Sequence, residues 1–513
     1  MLGVDLGTTG VRAVVFSAAG TQLHVESAEY PLASPFPGWA EQDPEQVYVA
    51  TVRCLRAAAA WARRRHRAIV ALGWSAILHS LVPLDAAGKA LGPSIIWADT
   101  RSAPEAKALR REVDPLSLYH RTGCPLHAMY WPAKLRWIQR HQPDVWRRAA
   151  SFAGIKEYVV RRCLGCYGAD RSTASATGLF NLQAADWDEQ ALALAGIERA
   201  RVPPLVEPSE PCQVLPGRLR ALGLPESCLV VPGAGDGVLQ TIGTGTIHAG
   251  QMVVMVATSG AIRTVSSAPR TDPRGRTWCY YLAEGRWVVG TAINNAGLVY
   301  AWLRDQLNGA ARDTATAEQG SPPPPITTAD LDRWAAAVPA GSNGLLFLPY
   351  LAGERSPNWN ADARGVLFGL SLAHDYRHLA RATLEGVAYR MRTILEPMEE
   401  VAGRASELRA AGGFVRSPLW LQIVADVLNR ELVLVDSPEA SALGAAQLAL
   451  RAAGLVARFE DLGSMVTPGE RVSPHPEPAA RYERLYALYQ RLYAQVAPDF
   501  ATIAALQAEL SGA

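Results

Sequence analysis

The sequence predicts an α/β protein built from two related domains, and three observations carry that reading. Residues 2–16 read as a short apolar strand, a turn of glycines and hydroxyls, and a returning strand of strong β-formers. Residues 252–265, MVVMVATSGAIRTV, repeat the pattern: strand, hydroxyl-hydroxyl-glycine turn, basic residue, strand. At 513 residues the chain is too long for one core, so two domains with appendages are expected. The boundaries are placed at 1–245, 246–455 and a helical C-terminal extension, 456–513.

In the first hairpin Leu2 and Val4 alternate with Gly3 and Asp5, and Asp5 arrives where the strand ends. Gly7, Thr8, Thr9 and Gly10 make a tight turn whose backbone N–H groups and two hydroxyls suit phosphate oxygens. Asp5 is a hard oxygen ligand, suited to a hydrated Mg2+ carried in by a nucleotide. No GxxxxGK[ST] is present and no helix follows, which excludes a Walker-type loop. The plain alternative is a hairpin with a threonine-rich turn. In the second copy Thr258, Ser259 and Gly260 stand for Thr8, Thr9 and Gly10, and Arg263 answers Arg12. Two such hairpins suggest two related domains facing one nucleotide.

Composition narrows the function. Apolar residues make up 49% and charged residues 19%, as in a well-folded soluble protein, and a net charge of +2 argues against nucleic acid or a membrane surface as partner. No apolar run reaches membrane-span length, and the N-terminus lacks a basic n-region with a long h-region, so a cytoplasmic location is expected. Seven cysteines, an odd number, fit a reducing compartment. Cys163 and Cys166 form a CxxC with no companion pair and read as packing residues near a helix end. Lysine occurs only at Lys89, Lys107, Lys134 and Lys156. The last two sit in dense surroundings, where a compact point charge is not replaceable by arginine.

Taken in order, residues 22–30 are a strand, and Asp43 as N-cap with Pro44 at the first position opens a helix to about Arg65. Residues 69–74 are a strand, followed by a loop carrying His79 and a strand at 81–84. Residues 95–97 form another strand, leading to Asp99 and Arg101. Polar residues past the carboxyl ends of strands are where open α/β sheets bind ligands, so His79, Asp99 and Arg101 group as candidates. Alone, His79 reads as a structural histidine and Asp99 with Arg101 as an ion pair capping the next helix. Residues 135–140 and 153–162 are helical, and 170–181, DRSTASATGLFN, read as a tight connection against the sheet. Residues 229–232 are a strand, and Asp236 follows between glycines, placed to act as a general base or a metal-site residue, with a plain turn aspartate as the alternative. A helix at 238–246 leads to the second hairpin.

In the second half a strand at 287–290 precedes Asn294 to Gly297, which cap a helix through Asp305. The four prolines within 316–328 read as a loop, 345–349 as a strand and 374–402 as a long helix. After a strand at 408–411, Gly412 and Gly413 allow flat approach of an adenine or ribose before a helix at 419–428. A strand at 432–435, a helix at 441–453 and a helical tail from Ala479 complete the chain.

These residues together resemble the FGGY carbohydrate kinases over nearly the full length. Asp5-x-Gly7-Thr8-Thr9 is similar to that family's first phosphate motif, Thr258-Ser259-Gly260 to its second, and Gly412-Gly413 with Ser417 to its adenosine motif. Asp236 in Gly233-Ala234-Gly235-Asp236-Gly237 stands where the family keeps its catalytic aspartate. Within the family, the gluconate kinases are resembled through Ser75-Ala76 with His79-Ser80, Trp97-Ala98-Asp99-x-Arg101-Ser102, Ile155-Lys156-Glu157-Tyr158, residues 175–181 and Gly353-Glu354-Arg355-x-Pro357-x-Trp359. Gly10 stands where serine is common, Ala257 where glycine is usual, and Leu78 precedes His79 where methionine is usual.

The resemblance implies two ribonuclease-H-like domains of the actin and hexokinase ATPase type, with a nucleotide cleft between them. It implies ATP and Mg2+ as cofactors and a sugar or sugar acid as substrate, with a homodimer as an allowed assembly. The implied nucleotide set is Gly7, Thr8, Thr9, Arg12, Thr258, Ser259, Gly260, Gly297, Gly412, Gly413 and Ser417. The implied sugar set is His79, Asp99, Arg101, Lys134, Lys156 and Asp236, with Asp236 as base and Asp5 and Asp236 holding Mg2+ through water. The expected reaction is phosphorylation of D-gluconate at its 6-hydroxyl. A xylulokinase or another pentose or polyol kinase is the near alternative, and an ATP-gated interaction protein of the same fold the distant one.

Overall fold

A computed structural model describes residues 1–317 and 324–510. The chain forms two compact units. The first comprises Met1–Ala249, Thr264–Val289 and Ser437–Thr467; the second comprises Gly250–Arg263, Gly290–Asp436 and the chain from Pro468.

The first unit is built on a five-stranded sheet in the order Leu229–Gly235, Ala71–Ala76, Leu2–Leu6, Gly10–Phe16, Gln22–Glu29. Leu2–Leu6 pairs antiparallel with Gly10–Phe16 and parallel with Ala71–Ala76, which pairs parallel with Leu229–Gly235. The register sets Asp5 opposite Ser75, and Ser75 opposite Ala234. Three neighbouring strands therefore end at one edge, with Asp5, Ser75 and, one residue beyond its strand, Asp236. In the second unit Gln251–Val256 pairs antiparallel with Gly260–Ser266 and parallel with Glu407–Ala411, which pairs parallel with Leu432–Leu434. The same hairpin-plus-parallel-neighbour plan thus occurs twice, as the two hydroxyl-rich turns predict.

Many element starts follow local chemistry. Asp43 accepts from the Glu45 N–H at 2.8 Å and Pro44 opens the helix Pro44–Arg64. Asp375 and His378 form a reciprocal cap on the helix Tyr376–Ala402.

Some elements differ from expectation. Leu229–Gly235 runs as a strand through the glycines read as a loop, with a register shift between Val231 and Ala234, and the helix Asp236–Gly243 begins at the aspartate itself. The strand expected at 69–74 is Ala71–Ala76, so Ser75 belongs to the sheet and not to the loop. Within the presumed connection at 170–181, Arg171–Ser175 is a short helix, because Asp170 accepts from the Thr173 N–H at 2.9 Å. The helix expected to stop at Asp305 runs Gly297–Ala317. The expected proline loop at 316–328 lies partly outside the described residues.

The helix Ala440–Ala452 covers the first unit's sheet at a distance only glycine permits. A Cβ on Gly3 would lie 1.9 Å from the Ala442 carbonyl oxygen, and one on Gly73 1.9 Å from that of Ala445. A Cβ on Gly243 would meet the Ala440 oxygen at 1.9 Å, so the helix Asp236–Gly243 rests on the same surface. Gly73→Ala should therefore destabilise the protein by about 3 kcal/mol, in the range of overpacked cores. Gly92→Ala, where a Cβ has nothing within 4 Å, should change it by about 0.5 kcal/mol or less. Denaturant midpoints check this; equal midpoints for the two variants would refute the seam.

Candidate functional site

The first hairpin is held from inside by its carbonyls. The Tyr30 hydroxyl donates to the Gly7 oxygen at 2.7 Å and the Gln42 amide to the Gly7 and Thr8 oxygens at 3.0 and 2.8 Å. Trp97 Nε1 donates to Thr8 Oγ1 at 3.2 Å, and the Tyr30 N–H to the Thr9 oxygen at 3.1 Å. Arg12 points outward, 3.6 Å from Glu439. Asp5 is half-buried and accepts from Ser75 Oγ at 2.7 Å. Burial raises its pKa, opposed by that bond and by the Arg12 charge.

Asp236 sits at the first position of its helix, where the N-terminal dipole favours a carboxylate, and Oδ1 accepts from the Gly237 N–H at 2.6 Å. Gly235 before it is pressed onto Leu78, since a Cβ there would fall 2.0 Å from Leu78 Cδ2. Asp236 thus adjoins the His79 loop. His79 holds a left-handed backbone, φ 65°, unusual for a non-glycine residue and a frequent mark of functional loops. Its Nδ1 lies 2.7 Å from the Ala176 oxygen, so Nδ1 carries the proton and Nε2 is the acceptor of the neutral ring. Tyr130 and Tyr280 stand edge-on to the imidazole, 5.0 and 5.9 Å between centroids, with their hydroxyls 2.8 Å apart. Trp278 stacks on Tyr280 at 4.3 Å.

The cations each have partners. Lys156 pairs with the buried Asp170, and Thr173 Oγ1 bridges Asp170 to Glu157, whose pKa burial raises. Lys156, Glu157 and Thr173 line, with His79, Ser80 and Trp131, a cavity of about 20 Å3, room for roughly one water. Arg101 forks onto Asp99 at 2.7 to 2.9 Å, reaches Glu41 at 2.7 Å, and lies 3.6 Å over the Trp39 ring. Asp99 also accepts from the Ala40 N–H at 2.7 Å, so the pair braces the loop at residues 38–41; it does not cap the helix Ala103–Glu112, whose N-cap is Ser102. Lys134 donates to the carbonyls of His79, Ile95 and Ile96 at 2.7, 3.2 and 2.9 Å. Burial pushes its pKa down to about 7, against the favourable charge of Asp99.

In the second unit the Gly297 and Leu298 N–H groups donate to the Ala257 and Thr258 carbonyls at 2.8 and 3.1 Å. A Cβ on Gly297 would sit 2.5 Å from the Ala257 oxygen. Thr258 and Ser259 form the turn and Gly260 opens the returning strand, tight against Met391 and Ile293. Gly412 has φ 101° and room for no Cβ beside Val256, whereas Gly413 faces open space. Ser417 caps the helix Pro418–Leu428 by accepting from the Trp420 N–H. The Gly353–Arg355 loop is braced by a buried ion pair of Glu354 with Arg390 at 2.6 Å, and burial raises Glu354 to about 7.

Sequence reasoning missed Tyr130, Trp131, Trp278 and Tyr280, and noticed Ser75 without giving it a role. Ser75 falls one residue past the strand expected at 69–74, so its place opposite Asp5 emerges only from the register; the aromatic residues come from segments distant in the chain and leave no local pattern. Cys163 is buried and Cys166 half-buried. Among the described residues no group of three or more His, Cys, Asp or Glu is placed to hold a metal, and no helix is long and apolar enough to cross a membrane. Two hard carboxylates at one sheet edge, without a protein cage, fit a Mg2+ that keeps its waters and arrives with phosphates.

Both units carry the plan of an actin- and hexokinase-like two-domain kinase, and comparison with known proteins gives the family. Residues 1–243 match the N-terminal domain, and residues 252–453 the C-terminal domain, of the FGGY family of carbohydrate kinases. The chain belongs to that family and is an ATP-dependent carbohydrate kinase. It is 38% identical to a gluconokinase of Bacillus subtilis over 491 residues, 95% of this chain and 94% of that one. Among solved structures it is similar to a gluconate kinase and a ligand-bound xylulose kinase, both from Lactobacillus acidophilus. Each has a TM-score of 0.90 at 30% identity and covers 98% of this chain and 99% of its own.

Ser75→Ala removes a donor to the ionised Asp5, so the Asp5 pKa should rise further. Activity that needs the carboxylate ionised is then lost at a higher pH. The acid limb of kcat/KM for MgATP should move up by about one unit, the worth of one such bond. An unchanged limb would count against Asp5 as the ionised group.

Proposed function

We propose that this protein phosphorylates D-gluconate at its 6-hydroxyl, with Asp236 as the base. The observation that carries the reading is the near full-length likeness to gluconokinases, 37 to 38% identical, above the 26 to 32% of the xylulose and glycerol kinases. The geometry supports the chemistry: a carboxylate at a helix N-terminus adjoins a strained histidine loop walled by aromatic residues.

Asp236 would take the proton of the 6-hydroxyl as that oxygen attacks the γ-phosphorus and the bond to the bridging oxygen of ADP breaks. The Gly7–Gly10 turn would receive phosphate oxygens in the first unit. In the second, the Thr258–Gly260 turn would do the same, and the Gly412–Ser417 segment would take the adenosine. Bound Mg2+, held through water by Asp5 and Asp236, would neutralise phosphate charge. Tyr130, Tyr280 and His79 would line the sugar, with Asp99, Arg101 and the Lys156–Asp170 pair bracing that wall. Lys156 and Arg101 already face carboxylates of the protein, so a substrate carboxylate would meet charges that are already paired.

A second reading, a xylulose kinase, is favoured by the equal structural likeness to such an enzyme. Coupled ADP release across gluconate, xylulose, ribulose, glycerol and fuculose separates them. Gluconate should lead in kcat/KM by about 100-fold, as expected where polar groups are recognised; an inert gluconate beside a turned-over ketose overturns the reading. Asp236→Asn should lower kcat by about 100-fold or more with a much smaller change in sugar KM. Near-normal turnover by the folded variant would exclude Asp236 as base.

A further inference from the structure

Lys134 is fully buried, yet its ammonium faces three main-chain carbonyls, those of His79, Ile95 and Ile96. One turn earlier on the same helix, Trp131–His141, Trp131 Nε1 donates to the Ser80 carbonyl at 3.0 Å. Trp131 and Lys134, three apart, therefore grip consecutive carbonyls of the loop that holds His79 left-handed. The other two carbonyls lead to a different place. After Ile96 comes Trp97, whose indole N–H reaches Thr8 in the phosphate hairpin, and then Asp99, bound to Arg101 and the Ala40 N–H. All three donors of one ammonium thus join the sugar-side loop to the segment that touches the phosphate turn. A guanidinium is planar and cannot point three donors at one apex, which accounts for a lysine in an arginine-rich chain.

We infer that Lys134 is a positioning residue: its ammonium fixes the His79 loop against the Ile95–Trp97 segment, and so sets the sugar relative to the phosphate hairpin. The inference rests on His79 facing the sugar. Lys134 does not touch substrate and forms no ion pair with a substrate carboxylate. In its absence three buried carbonyls lose their donor and the loop relaxes, and a shift of about 1 Å at such a site costs on the order of 100-fold in rate.

The test is Lys134→Met, which keeps the apolar stem, with ratios taken on whichever sugar the wild type turns over best. A wrong substrate assignment then changes the sugar used and not the ratio. Sugar kcat/KM per folded enzyme should fall about 100-fold, ADP formed per sugar phosphate should rise above one, and Kd for MgADP should stay within about threefold. A lysine with only a structural role would lower the melting temperature and leave kcat, KM and the ADP-to-product ratio of the folded fraction unchanged, and that result overturns the inference. Lys134→Gln, with two donors in place of three, should show a smaller loss of the same kind; it carries the test if the Met variant does not fold, and loss of the fold in both overturns the inference. His79→Ala separates the premise: an unaltered sugar KM there sinks the sugar-facing loop, whereas an impaired His79→Ala beside a normal Lys134→Met sinks Lys134 alone.

Discussion

Backbone-to-backbone packing of the helix Ala440–Ala452 on the first sheet is the constraint on which the first unit depends. Gly3, Gly73 and Gly243 each leave room for a carbonyl of that helix where a single methyl group would collide. The helix is made of alanine, glycine and leucine with few longer groups, so it lies flat against the central strands. Dense packing of this kind transmits position with little slack. It holds the strands Leu2–Leu6 and Ala71–Ala76 and the helix Asp236–Gly243 in one fixed relation, and these carry Asp5, Ser75 and Asp236.

From that rigid edge the polar groups are organised in successive ties. Ser75 orients Asp5; Gly235 lets Leu78 close on the strand that delivers Asp236; Trp131 and Lys134 hold the two carbonyls that follow Leu78. The buried charges are satisfied at short range: Lys156 by Asp170, Arg101 by Asp99 and Glu41, Lys134 by carbonyl dipoles. Buried ion pairs add little net stability but are costly to break singly.

Local signals were legible in the sequence and distant ones were not. The two hydroxyl turns, the Asp43–Pro44 helix start and the strand-end placement of Asp5, His79 and Asp236 are written in neighbouring residues, and the matching topology of the two units follows from the repeated hairpin. The length of the strand ending at Gly235 was hidden because its glycines look like a turn; they serve close approach to the Trp74 backbone and Leu78. The partners of Lys134 are carbonyls, which every residue has, so no side-chain pattern could announce them. Tyr280 joins His79 across some two hundred residues of sequence, and aromatic residues that far apart give no spacing to read.

On the proposed reading, Asp236 takes the proton of the terminal hydroxyl of gluconate as that oxygen receives the γ-phosphoryl group of ATP. Product analysis tests it most directly. With D-gluconate and MgATP, the carbon NMR spectrum of the product should show phosphorus coupling at C6 and C5, with no phosphate on any secondary hydroxyl. A product phosphorylated elsewhere, or release of inorganic phosphate without a sugar phosphate, would contradict the account.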